Sequence, residues 1–176
     1  MVERIQIIKA SLSDAKLLSD LSISTFNETF RGICPEEDIE VFVKNSFLEI
    51  QITKELESNP NQYYIGFVDS YPAGYMRVAE CFPTFPEKNI LRSLELKRIY
   101  VLKEFQRKKV GARLMSFALK LAKENSCEAV WLGVWEDNVQ GIDFYNNFGF
   151  QDTGFREGFQ IGRVHQMDLR MMKFIK

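Results

Sequence analysis

The chain is 176 residues long, 45% apolar and 27% charged, which fits one soluble globular domain spanning 1–176 and built on one core. A formal net charge of −1 excludes a global field that would gather nucleic acid or a membrane surface, so any anion site must be local. Cys34, Cys81 and Cys127 are too few and too far apart for a disulfide framework or a zinc motif, and the single histidine, His165, excludes a multi-histidine metal centre. No signal peptide and no run long enough to span a bilayer is visible, so the expected location is cytoplasmic.

In chain order, Ile5 and Ile7 alternating with Gln6 and Ile8 predict a short strand. Ser11-Leu12-Ser13-Asp14 fits a capping box with Ser11 as N-cap, ahead of a helix over 13–30 that Gly32 and Pro35 end. Pro35-Glu36-Glu37-Asp38 starts a second helical region, with proline in the first turn and carboxylates near the positive end of the dipole; it runs, with room for an interruption, to about residue 58. Strands over 63–68 and 73–79 form a hairpin through Asp69-Ser70-Tyr71-Pro72. The stretch 81–92, with Pro83 and Pro86, reads as a loop. Alternation predicts a long strand over 94–102, and Val110, Leu114, Phe117, Ala118 and Leu121 keep helical spacing over 107–125. A strand over 129–135, a helix over 138–148 stopped by Gly149, and a terminal hairpin turning at Ile161-Gly162 complete the order β-α-α-β-β-β-α-β-α-β-β, a mixed α/β domain.

The segment from Gln106 through Arg107, Lys108, Lys109, Val110 and Gly111 to Ala112 joins a strand to a helix. Cations at a helix N-terminus oppose the macrodipole by roughly 0.3–1 kcal/mol each, and a bound anion would reverse that sign. A strand feeding a glycine-containing turn and a helix start is a physical cradle for phosphate. The same residues also read as a solvated basic run. Asn138, Gly141 and Tyr145 share one face of the later helix. Gly141 costs about 1 kcal/mol against alanine there, which a close approach would explain. An N-cap, a tolerated glycine and a core tyrosine are the alternative.

The segment 106–112 resembles the Arg/Gln-x-x-Gly-x-Gly/Ala signature of the GNAT superfamily of N-acetyltransferases, departing from it at Lys109, where the first glycine is usual. The lysine keeps the amide, and costs roughly 1–2 kcal/mol only if the position needs a left-handed backbone. Trp131-Leu132-Gly133-Val134-Trp135-Glu136-Asp137-Asn138 and Phe144-Tyr145-Asn146-Asn147-Phe148-Gly149-Phe150 are similar to the family's strand–Asn and Phe-Tyr-x-x-x-Gly-Phe pattern. The resemblance implies a single-domain fold around a central mixed sheet with a splayed cleft for acetyl-CoA, used as cosubstrate without a metal. In that cleft the amides of 106–112 would hold the pyrophosphate. The backbone of Ile99, Tyr100 and Val101 would pair with pantetheine, with the Val101 amide on the thioester carbonyl. Asn138 would contact the pantetheine arm, beside Gly141, and Tyr145 would protonate the departing thiolate.

The segments 93–100, 131–136 and 24–30 further resemble bacterial PaiA-type spermidine/spermine acetyltransferases. That resemblance implies a polyamine acceptor attacking directly in a ternary complex. An aliphatic ammonium titrates near roughly 10.4 and must lose a proton; Glu95, on the central strand, is the leading base and His165 a weaker one. Acidic walls would suit a polycation, and Glu28 and Glu36, with Glu37 and Asp38, are the candidates. The competing expectations are a protein N-terminal or lysine acetyltransferase and a non-catalytic acetyl-CoA sensor. Neither nucleic acid nor membrane is an expected partner, and either a monomer or a homodimer is compatible.

Overall fold

The computed structural model describes residues 4–60, 62–81 and 92–175. The stretch expected as a proline-containing loop falls largely on 82–91, outside the described residues. The elements are β1 Ile5–Lys9, α1 Ala15–Phe30, α2 Glu36–Ser46, α3 Glu49–Ser58, β2 Tyr63–Val68, β3 Tyr71–Cys81, β4 Ser93–Val101, α4 Val110–Glu124, β5 Ala129–Trp135, α5 Val139–Asn147, β6 Gln151–Ile161 and β7 Val164–Phe174. Short 3-10 turns stand at Leu12–Asp14 and Lys103–Phe105. This is the expected mixed α/β order, with the second helical region divided in two. Phe47 causes the division. It is 2% exposed and turns inward onto Phe26 and Phe42, with ring centroids 5.2 and 5.7 Å away, so Leu48 starts a new helix in extended geometry.

The described residues fall into two compact units, one drawn from Met1–Arg77, Arg98–Phe117 and Ile161–Arg163, the other from Val78–Lys97, Ala118–Gln160 and Val164–Lys176. In the first, the strand order is β1-β2-β3-β4. β1 and β2 pair antiparallel from Ile5↔Val68 to Lys9↔Tyr64, and β2 and β3 pair from Tyr63↔Arg77 to Val68↔Tyr71. The hairpin between β2 and β3 is tighter than expected. Asp69 and Ser70 take φ of +46° and +73°, the two left-handed positions of a two-residue turn whose twist matches the strands, and β3 resumes at Tyr71. The Ser11–Asp14 capping box forms as expected. Leu18, Leu21, Ile52, Leu56, Tyr63, Ile65 and Tyr75 build the core of this unit.

Two glycines bring backbone into place here. A Cβ on Gly66 would lie 3.3 Å from Val110 and 3.6 Å from Leu114, so α4 seats its first turns on β2 there. A Cβ on Gly74 would stand 2.4 Å from the Tyr100 carbonyl oxygen, so only glycine admits this approach of β3 to the end of β4. The Leu102 N–H reaches Ala73 O at 2.9 Å beside it.

In the second unit the order is β4-β5-β7-β6. β5 and β7 pair antiparallel throughout, from Ala129↔Phe174 to Trp135↔Asp168. The parallel pairing of β4 with β5 covers only Ser93↔Ala129, Leu94↔Val130 and Glu95↔Trp131. Strand alternation buries Leu132, Val134, Leu169 and Met171 on one face and sets Trp131, Gly133, Asp168 and Arg170 on the other. Among the described residues, no helix is long and apolar enough to cross a membrane.

Candidate active site

The strand-to-helix segment after β4 turns through two left-handed residues into α4. Leu102 O accepts from the Phe105 N–H at 2.8 Å, closing the 3-10 turn. The Gln106 amide Nε2 donates back to Val101 O at 3.3 Å. Arg107 and Lys109 then take φ of +62° and +66°, while Lys108 between them does not. Backbone alternating in this way turns successive N–H groups toward one side and forms a concave anion nest. The first helical bond of α4 is Arg113 N–H to Lys109 O, 3.0 Å, so the N–H groups of Val110, Gly111 and Ala112 have no intrahelical acceptor. Residues 106–109 are exposed, whereas Val110 is buried and anchors the turn. The Lys108 ammonium lies over the Phe105 ring, 5.3 Å from its centroid.

Helix α4 therefore begins at Val110, not at 107. Lys109 occupies the left-handed position that makes glycine usual in the resembling signature, and it carries the backbone cost described above. Lys109→Gly is expected to raise stability by about 1 kcal/mol, part of the strain being offset by the greater freedom of the unfolded glycine chain. That is a Tm increase of about 2–4 °C, with CoA binding kept. Gly111→Glu is expected to abolish the stabilisation by CoA, because it sets bulk and negative charge at the positive end of α4. Thermal melts of both variants with and without CoA measure this; the reverse pattern would overturn the phosphate-loop assignment.

Asn138 is the N-cap of α5, and its Oδ1 accepts from the Gly141 N–H at 2.9 Å. That contact also explains the glycine. A Cβ on Gly141 would lie 2.6 Å from the Asn138 side-chain nitrogen, so the close approach at Gly141 is made by the cap itself.

The other end of α5 has an equally local logic. Gly149 takes φ +82°. Its N–H reaches Asn146 O at 2.8 Å and the Phe150 N–H reaches Tyr145 O at 3.1 Å, the paired bonds of a Schellman motif. The hydrophobic contact that accompanies such a motif is made by Tyr145 and Phe150, ring centroids 6.0 Å apart, with Phe144 5.4 Å away on the other side. The Phe-Tyr-x-x-x-Gly-Phe spacing thus fixes the Tyr145 ring by helix-end geometry. Burial pushes the Tyr145 phenol above its ordinary pKa, so it stays protonated at neutral pH, as a proton donor must.

Glu95 stands at the fork, in the last pair that β4 makes with β5. Its Oε2 is 2.9 Å from Lys97 Nζ. Beyond that pair opens a cavity of about 220 Å³, lined by Glu95, Lys97, Trp131, Glu157, Asp168 and Arg170 among others. Arg170 lies between two rings, 4.6 Å from the Trp131 centroid and 4.3 Å from that of Phe155, and binds Glu157 Oε2 at 2.6 Å. The Asp168 carboxylate reaches over Gly133, where a Cβ would come within 3.3 Å of its Oδ2. Burial, and then Glu157, raise its carboxyl above the usual range.

The structure places the remaining candidates elsewhere. Glu28 accepts the Lys103 N–H at 2.9 Å, tying α1 to the turn ahead of the anion nest. Glu36 is exposed in the first turn of α2. Asp38 is engaged by Arg163, whose N–H and Nε lie 3.1 and 3.3 Å from its Oδ2. The Arg163 backbone N–H is the main reason its carboxyl is held below the usual range. His165 is exposed, on the opposite face of β7 from Asp168. Sequence reasoning missed Glu157, Asp168 and Arg170. The available signal was charge at alternate positions, 168 and 170, in a strand whose intervening Leu169 and Met171 are apolar.

The Acetyltransferase (GNAT) family model matches residues 23–150, and the chain belongs to that family. An uncharacterised N-acetyltransferase of Lactobacillus delbrueckii subsp. lactis is 31% identical over 96% of this chain and 96% of its own length. A spermidine N(1)-acetyltransferase of Thermoplasma acidophilum is 29% identical over 85% of this chain and 91% of its own. Among solved structures, the PaiA N-acetyltransferase of Thermoplasma acidophilum in complex with coenzyme A aligns with a TM-score of 0.75 at 24% identity, covering 97% of this chain and 99% of that one. The chain is an acetyl-CoA-dependent N-acetyltransferase of the GNAT type.

Proposed function

We propose that the acceptor is a polyamine, such as spermidine or spermine, and that its primary amine attacks acetyl-CoA directly in a ternary complex. The observation that carries this reading is the acid-lined cavity at the point where β4 leaves β5, with Glu95, Glu157 and Asp168 on its walls. The spermidine acetyltransferase similar to this chain supports it.

In this reading the amides of 106–112 hold the pyrophosphate in the anion nest. Ile99, Tyr100 and Val101 pair with pantetheine, Asn138 and Gly141 border its arm, and the Val101 N–H polarises the thioester carbonyl. Glu95 takes the ammonium proton, directly or through water. The amine nitrogen forms its bond to the acetyl carbon, the carbon–sulfur bond breaks, and the sulfur takes the Tyr145 proton. Glu28, bonded to the Lys103 N–H, and Glu36, exposed on α2, serve as outer acidic groups for a long polycation.

Measuring CoA thiol release with a panel of amines tests the acceptor. Spermidine and spermine are expected to exceed a monoamine of similar length in kcat/KM. Added salt should raise their KM, because screening weakens attraction between exposed charges. Equal kcat/KM for polyamines and monoamines would overturn the polyamine acceptor and leave the acetyltransferase standing.

A further inference from the structure

Among the described residues that line the cavity, the charges do not balance. Glu95 is paired with Lys97 at 2.9 Å and Glu157 with Arg170 at 2.6 Å. Asp168 lines the same cavity, and among the described residues it has neither a cation within ion-pair reach nor a hydrogen-bond donor; after burial, the like charge of Glu157 adds to the upward shift of its carboxyl. The Asp168 carboxylate leans over Gly133, where a Cβ would come within 3.3 Å of its Oδ2, so that stretch of β5 sets no side chain against it. Two residues along the same strand face, Gln166 is 5% exposed, and its amide nitrogen and oxygen both lack a partner. A partly buried carboxylate next to a like charge is unfavourable unless a cation or a proton completes it.

We infer that Asp168 is the specificity residue for the acceptor, holding an ammonium of a di- or polyamine other than the nitrogen that is acetylated. This rests on the polyamine reading above and deepens it. The second nitrogen is the one to assign here for a physical reason. An opposite charge stabilises the protonated form of an amine, so an amine seated on Asp168 keeps its proton and is a poor nucleophile. Among the described lining residues, three carboxylates with two cations leave room for one further positive charge. The base at the fork and the anchor on β7 thus serve different nitrogens of one substrate.

The test compares a linear diamine with a monoamine of equal chain length, on the wild-type chain, Asp168→Asn and Asp168→Glu. Acetyl-CoA affinity and Tm serve as folding controls. Losing one charge-assisted hydrogen bond is expected to lower the diamine-over-monoamine ratio of kcat/KM about 10- to 100-fold in Asp168→Asn. The change should come mainly through diamine KM, with Asp168→Glu recovering part of it. A wild-type preference for diamine that survives in Asp168→Asn would overturn the anchor and leave the polyamine reading intact. A kcat loss shared equally by both amines would also overturn it, because Asp168 would then act on the attacking nitrogen. No diamine preference in the wild type would overturn both.

Discussion

Glu55→Ala is expected to lower stability by about 3–5 kcal/mol, the usual cost of stripping one partner from a buried ion cluster. Glu55, on α3, is the hub of the first unit. Its Oε1 binds Arg77 Nη1 at 2.6 Å, and its Oε2 lies 3.4 Å from Arg98 Nη1 and accepts from the Tyr63 hydroxyl. The side chains of Glu55, Arg77 and Arg98 are only 24%, 17% and 18% exposed, so solvent screens them weakly. Removing the carboxylate takes the counter-charge from two guanidinium groups, and leaves the Tyr63 phenol, which burial keeps protonated, without its acceptor. At about 2–4 °C per kcal/mol for a chain of this size, Tm should fall by about 6–20 °C. Adding Arg98→Met to Glu55→Ala should restore part of the loss, because an apolar side chain needs no counter-charge and can still pack on Phe47, over whose ring Arg98 now lies at 4.9 Å. Denaturant midpoints of the single and double variants measure this; a loss below about 1 kcal/mol in Glu55→Ala would place the cluster among screened surface pairs.

Tyr145→Phe is expected to lower kcat by about 10²-fold or less while leaving acetyl-CoA affinity and Tm nearly unchanged. General acids contribute roughly 10²–10⁴-fold, and a thiolate leaves tolerably without help, which argues for the lower end. The interaction grows only as sulfur departs, so its removal should appear in kcat rather than in donor binding. The substitution keeps the ring that packs on Phe150 and the backbone bonds that end α5, so the local fold has no reason to change. A core tyrosine without a chemical role would give the opposite pattern, normal turnover with at most a small stability loss. An unchanged kcat, with chemistry shown to be rate-limiting, would remove Tyr145 as the acid.

Much of this was legible in the chain itself, because it is local. The Ser11–Asp14 box, the strands over 63–68 and 129–135, the Asn138 cap and the Gly149 stop each follow from residues within one turn or one strand of each other. The family signatures fall at such places, a helix start at Val110 and a Schellman end at Gly149, where a few neighbouring residues determine backbone direction.

Tertiary structure decided the rest. The division of α2 from α3 depended on the ring partners of Phe47, the need for glycine at 74 on the carbonyl of Tyr100, and the left-handed backbone of Lys109 on how the 3-10 turn enters α4. The commitment of Asp38 to Arg163 joins residues 125 positions apart. The acid-lined cavity draws Glu95, Glu157 and Asp168 from three strands, so no spacing in the sequence announces it. Local geometry is set by short-range sterics and hydrogen bonds that each residue type carries with it. Which carboxylates are paired and which are not is set by charges that meet only after the strands have taken their order.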